Sequence, residues 1–201
     1  AINGYDAKLL NAMLADFRSR NIGVSALDGI TGADLLTVKN TIGIDVGEGT
    51  TNFPVFQNGK FNTDASYSYN KGYGSVLDSA IVILNSQGFA FNSRKALSEY
   101  LLTTPTVVGR GRYNKIKSVV DMEVENFVIG LEKEFSSVVD KVGLTAEVVY
   151  LYGGGATAIH ASLMKTLNER SLKFGGSEAL LPVLCLASEY SRYLNRDGLY
   201  L

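Results

Sequence analysis

The segment TIGIDVGEGTTNFPVF, Thr41–Phe56, limits the fold more than any other part of the chain. Two apolar runs flank a glycine turn, which reads as strand, turn, strand. The Asn58-Gly59 pair that follows favours a type I′ hairpin, so KFNTDASYSY is expected to continue the meander. The same segment puts Asp45 at the tip of a strand predicted to be buried. That is a costly place for a carboxylate unless a cation or a set of donors meets it. Gly47 and Gly49 let the main chain fold tightly and bring N–H groups toward an anion, and the hydroxyls of Thr50 and Thr51 add donors, so DVGEGTT has the form of a phosphate cradle. Asp45 would repel phosphates directly; a Mg²⁺, held through water because it dehydrates reluctantly, makes the pairing favourable. The alternative is an ordinary hairpin in which Asp and Thr side chains cap the backbone.

A second glycine turn follows about a hundred residues later. AEVVYLY is an apolar β-branched run of the kind a strand buried on both faces shows, and GGGATAIHASLMKTLNE is a glycine turn opening a helix. Free N–H groups and the positive dipole end suit a phosphate there, and Gly153, Gly154 and Gly155 leave room for a flat ring. Tight strand-to-helix packing explains the same letters, and the GxGxxG spacing of a dinucleotide fold is missing.

Between the turns the texture is helical. SVLDSAIVILNSQ, SRKALSEYLLT and IKSVVDMEVENFVIGLEKEFSSVVDKV read as three helices, the last with Val119, Met122, Val124, Phe127, Leu131 and Phe135 at helical spacing. TPTVVGRGRYNK, with its proline, glycines and basic residues, reads as a loop. Arg110, Arg112, Lys115 and Lys117 in or beside it suit a nucleotide, a filament contact or plain solvation. Ahead of the first turn, Tyr5–Arg20 is an expected amphipathic helix with Asp6 as its cap, NIGVSAL a short strand and GITGADLLTV a short helix. EALLPVLCLASEYSRYL closes the chain with a strand or turn and a last helix. The tyrosines of ASYSYNKGYG are accounted for by strand alternation. The sum is a mixed α/β architecture with glycine turns where strands end, the place where open α/β sheets bind ligands.

Composition narrows the partners. With 201 residues, 46% of them hydrophobic, the chain can bury one core or two small lobes. A formal charge of −1 removes any bulk electrostatic case for nucleic acid or anionic lipid. The lone Cys185 has no partner for an internal disulfide, which fits the cytoplasm, and no run approaches the roughly 20 residues of a membrane span. His160, the only histidine, has no second histidine or cysteine with which to build a metal site.

The two turns together are more informative than either alone. A phosphate hairpin, then helices, then a strand-glycine-helix turn resembles the second half of the actin, sugar kinase and heat-shock chaperone ATPase superfamily, with IGIDVGEGTTNFPVF as its second phosphate motif and VVYLYGGGATAI as its adenosine motif. Within it, the wording IDVGEGTTNFPVF, the SRKALSEYLL segment and the size of the insertion are most similar to bacterial actin-like plasmid segregation proteins of the ParM type and their archaeal relatives. The resemblance implies an actin-like ATPase domain, a ribonuclease H-like mixed sheet with flanking helices and a helical insertion subdomain. The expected division is 1–73 for the core with the phosphate turn, 74–145 for the helical insertion and 146–201 for the return to the core. It implies that Asp45 holds Mg²⁺ through water, that Gly47, Glu48, Gly49, Thr50, Thr51 and Asn52 meet the phosphates, and that Gly153, Gly154, Gly155 and Ala156 line the adenosine.

Asp28 stands where the family carries a Glu or another polar residue that orients the attacking water; an N-cap for the following helix is an equal reading. Glu48 stands where a glycine is common, and a solvent-facing charge explains it as well. Asn52 replaces an acid found in many members, and an amide takes no proton at neutral pH, so slow hydrolysis is expected. The resemblance further implies Mg²⁺ with ATP or GTP as cofactor, a missing first domain, nucleotide hydrolysis only in the full-length protein, and self-association into filaments in the cytoplasm. Its cargo would be plasmid DNA, reached through an adaptor protein without direct nucleic-acid or membrane contact. The alternatives are a sugar or acetate-type kinase domain and a non-catalytic scaffold with a decayed site.

Overall fold

A computed structural model describes residues 40–58, 60–142, 148–169 and 183–185, together with positions 8, 11, 15 and 31. Positions 8, 11 and 15 are helical, as the expected helix over Tyr5–Arg20 requires, and Thr31, inside the expected GITGADLLTV helix, has no regular structure; the rest of those two segments, the NIGVSAL strand, Asp28 and the closing helix lie outside the described residues.

The sheet is built on β1 (Thr41–Val46), whose residues are almost all buried, as a central strand with both faces covered requires. β2 (Thr51–Phe53) and β3 (Val55–Gln57) return beside it in one antiparallel register, from Val46↔Thr51 to Thr41↔Phe56. They are two halves of a single arm. Pro54 separates them because it cannot donate to the ladder, although its carbonyl still accepts from Gly43 N at 2.8 Å. Asn58 follows with φ +52, the left-handed conformation that an Asn-Gly turn needs, and β4 (Lys60–Phe61) pairs back onto β3. β5 (Tyr67–Tyr69) pairs with β2. On the other side of β1 lies β6 (Val148–Tyr152), parallel to it, and β7 (Val183–Cys185) runs parallel to β6. The expected meander and the buried strand ahead of GGGA are thus both present, joined edge to edge.

The helices described along their length are α1 (Tyr73–Ser86), α2 (Arg94–Leu101), α3 (Arg110–Val142) and α4 (Ala156–Glu169). Ser93 caps α2, its Oγ accepting from Ala96 N at 3.2 Å. α3 packs against both α1 and α4, and Val76, Leu84, Val128, Leu131 and Phe135 join Ile42, Ile44 and Phe53 in one apolar cluster.

The long helix departs from expectation in two ways. It begins at Arg110, so the last part of the expected loop, residues 110–115, is helical. Gly111 has open space around it, which keeps its cost to intrinsic propensity, while Tyr113 anchors the turn by donating its hydroxyl to Leu101 O at 3.0 Å and stacking on Tyr100. Its buried stripe runs through Ile116, Val120, Val124, Phe127, Leu131, Phe135, Val138 and Val142. Met122, expected on that stripe, is 45% exposed because it falls off the face that α1 and α4 cover.

Candidate functional site

Parallel pairing of β1 with β6 brings the two glycine turns to the same end of the sheet, since both follow the C-terminal end of their strand. They touch: Gly155 N donates to Val46 O at 3.0 Å. A third element meets them there. The first two residues of α1 donate into the first turn, Tyr73 N to Gly47 O and Gly74 N to Glu48 O, both at 2.9 Å, and Thr51 Oγ1 donates to Lys71 O at 2.9 Å.

That junction depends on glycines. A Cβ on Gly72 would stand 2.4 Å from Gly47 O, and one on Gly74 would stand 2.7 Å from Glu48 O and 2.5 Å from Arg94 Nη1. Gly153 has φ +99, and its Cβ would stand 2.5 Å from Val46 O and 2.7 Å from an Asp45 carboxylate oxygen. A Cβ on Gly155 would stand 2.6 Å from the Cβ of Tyr73. By contrast Gly49 and Gly154 are exposed, and a Cβ there would meet nothing. Among the described residues no main-chain acceptor takes up the N–H groups of Gly49, Thr50 or Gly154.

A cavity of about 370 Å³ opens between the turns. Its walls are Gly47 and Glu48 on one side, Gly154 and Gly155 on another, and Tyr73, Gly74 and Leu77 of α1 with Arg94, Lys95 and Ser98 of α2 on the rest. None of these α1 and α2 residues is a site residue expected from the sequence. The signal available was KGYGS, where two glycines bracket Tyr73 at the mouth of an amphipathic helix that gains nothing from them by propensity. Tyr73, expected among the strand tyrosines, opens α1 and lines the cavity. The basic residues Arg110, Arg112, Lys115 and Lys117 do not line it; Arg112 lies over the Phe89 ring at 5.2 Å, and Lys117 pairs with Asp121 at 2.5 Å.

Asp45 sits beside the cavity at the end of β1, opposite Asn52 in the ladder. Burial pushes its carboxyl up to about 6, and a hydrogen bond from the Asn52 side chain offsets part of that rise. Asn52 is engaged at both ends, since its Oδ1 also accepts from Ser68 Oγ at 2.7 Å. Thr51 is wholly buried with its hydroxyl proton committed to Lys71, so Thr50, exposed at the tip, is the hydroxyl free to meet a ligand. Glu48 is bound to Arg94, Nη1 to Oε1 at 2.8 Å. Gly153 and Ala156 are buried beneath the cavity and do not line it.

Asp45 suits a Mg²⁺. Its carboxylate is partly withdrawn from water, and no lysine or arginine appears among the groups acting on it. Among the described residues there is no group of three or more His, Cys, Asp or Glu side chains able to hold a metal, so an ion at Asp45 would complete its shell with water and ligand oxygens, as Mg²⁺ does.

A central strand with an antiparallel arm on one side and a parallel strand on the other, helices over the sheet, and paired glycine turns at one end define an actin-like domain. The family model described as archaeal actin homologue MreB-like, C-terminal, matches residues 43–165, and the chain belongs to that family. Solved structures similar to it include ParM of Bacillus thuringiensis with AMPPNP, at TM-score 0.56 and 17% identity over 78% of this chain and 44% of that one. ParM of the same organism with ADP gives 0.55 and 14% over 81% and 48%. Ta0583, an archaeal actin homologue, gives 0.52 and 17% over 80% and 47%. At these identities the likeness is one of fold, and the chain spans about half the length of the structures it matches. No curated protein matches the sequence.

Proposed function

We propose that this chain is the nucleotide-holding half of an actin-like, filament-forming ATPase that works with Mg²⁺ and ATP or GTP. The observation that carries the reading is the cavity walled by both glycine turns, which adjoins open N–H groups and the half-buried carboxyl of Asp45. Polyphosphate suits the first turn, where Gly49 N–H, Thr50 N–H and the Thr50 hydroxyl are available donors. The nucleoside suits the space between Gly154, Gly155, Tyr73, Lys95 and Ser98, where the main chain is bare and one wall is an aromatic ring. Asp45 would hold Mg²⁺, which supplies the charge that lets phosphates lie near a carboxylate. Asn52, fixed by Ser68, holds Asp45 in place.

In this reading hydrolysis belongs to the full-length protein, in which a second domain closes over the phosphates. Phosphoryl transfer needs mainly positioning and charge stabilisation, so an amide at Asn52 slows the chemistry without abolishing it. Nucleotide governs self-association into cytoplasmic filaments, and the cargo is plasmid DNA reached through an adaptor, consistent with a formal charge of −1. No helix among the described residues is long and apolar enough to cross a membrane.

The test is direct. Full-length protein with Mg-ATP or Mg-GTP is expected to scatter light at micromolar concentration and to show polymer by electron microscopy, and Asp45→Ala is expected to weaken Mg-nucleotide binding at least tenfold. Unchanged affinity in that variant sinks the assignment of the first turn.

A further inference from the structure

We infer that Arg94 is a positioning residue which keeps the phosphate turn's own acid, Glu48, turned away from the anion it serves; this rests on the nucleotide reading above. Three observations carry it. Arg94 is fixed first by Asp78 on α1, its Nε donating to Oδ1 at 2.7 Å and its Nη2 to Oδ2 at 2.5 Å. A planar fork gripped on one side presents its remaining edge in a set direction. That edge, Nη1, meets Glu48 Oε1 at 2.8 Å. Finally, the guanidinium reaches the turn only because residue 74 is glycine, since any side chain there would meet Nη1 at 2.5 Å.

The purpose of such a clasp follows from the position of Glu48. It is one of the two central residues of the turn between the paired Gly47 and Thr50, and the N–H groups beside it are the available anion donors. An unpaired carboxylate there opposes phosphate. Among the described residues Arg94 is the cation bound to it, and Arg94 also occupies the cavity wall next to Lys95 and Ser98. As an exposed pair the bridge contributes little to stability, so its value lies in where it holds the charge.

The experiment measures binding by calorimetry in full-length protein with Mg²⁺, using ATP against adenosine and GTP against guanosine, for wild type, Arg94→Gln and the double variant Arg94→Gln/Glu48→Gln. Arg94→Gln is expected to weaken the triphosphate about tenfold and the nucleoside less than threefold, and adding Glu48→Gln is expected to restore most of the lost triphosphate affinity. No rescue by Glu48→Gln means that Arg94 contacts phosphate itself, and overturns the inference. Equal loss of nucleoside and triphosphate with a lowered unfolding midpoint means a structural role and overturns it as well. Wild type that binds none of the four compounds overturns the nucleotide reading and this inference together, whereas the other two failures leave that reading standing.

Discussion

The two glycine turns lie side by side at one end of the sheet, yet they use glycine for opposite reasons. In the turn after β6, Gly153 and Gly155 are forced by the fold: one has φ +99 and lies against Val46 O, the other lies against Tyr73, and only Gly154 is open. In the turn after β1, Gly49 has open space and an unremarkable φ, and Gly47 is only moderately close to Thr50 O at 3.0 Å. The tightness needed to hold that turn comes from elsewhere, from Gly72 and Gly74 at the mouth of α1. A glycine motif therefore marks a place where backbones crowd without saying which glycine is crowded. At both turns the glycines left over, 49 and 154, are the ones facing open space.

The largest expected effect breaks the second turn. Gly153→Ala forces a left-handed backbone on a residue with a side chain and drives a methyl into Val46 O, and should cost about 3 kcal/mol or more. Gly72→Ala, whose Cβ meets the main chain of Gly47 at 2.4 Å, should cost about 2 kcal/mol through the first turn. Urea unfolding of both variants checks the ranking. If either costs less than about 0.5 kcal/mol, the crowding at that turn does not govern the fold.

The next effect has the opposite sign. Asp45 rises from an ordinary carboxyl value of 3.8 to about 6 on folding. Between those two values the folded chain keeps a proton that the unfolded chain has lost, so stability falls as pH rises through the window. The full penalty is present above about pH 6 and absent below about pH 4. Asp45→Asn should therefore stabilise the protein by about 2 kcal/mol at pH 8 and hardly at all at pH 4, measured without divalent cation. Mg²⁺ with nucleotide should reverse the advantage by stabilising wild type alone. A variant less stable than wild type at pH 8 would mean that Asn52 holds the carboxylate more strongly than burial opposes it.

How much of this could be read from the letters depends on distance along the chain. β1, its return arm and the β6-turn-α4 unit follow from local alternation, an Asn-Gly turn and a glycine run, and all of them are present. The cavity does not follow from local pattern. Gly72 matters because of Gly47, and Arg94 because of Glu48, 46 residues away in sequence. KGYGS marks a crowded place at the mouth of α1, but no local pattern says which distant residue crowds it. Gly111 misled in the other direction, since a glycine in a basic stretch reads as a loop, whereas a tyrosine two residues on secures the first turn of a long helix. Of the nucleotide-motif letters, Ala156 and Thr51 serve packing and a main-chain tie, while Glu48, read equally well as a solvent-facing charge, is clasped by an arginine.

The smallest effect on stability is the one that separates fold from function most cleanly. Gly49→Ala and Gly154→Ala place a methyl in open space with no left-handed backbone to oppose it, so each should change unfolding free energy by less than about 0.5 kcal/mol. A ligand bound against the bare main chain would nevertheless collide with that methyl. Gly154→Ala, at the cavity wall, is expected to weaken nucleoside and nucleotide alike, because the proposed reading puts the part they share against that wall. Gly49→Ala should weaken only the phosphorylated forms, since Gly49 is not at the cavity wall and the proposed reading gives its N–H to phosphate. Titration of the two variants with nucleoside, diphosphate and triphosphate distinguishes these outcomes. If both variants bind like wild type, glycine at 49 and 154 serves neither packing nor ligand, and the division of labour drawn between the two turns fails at the positions where it is most specific.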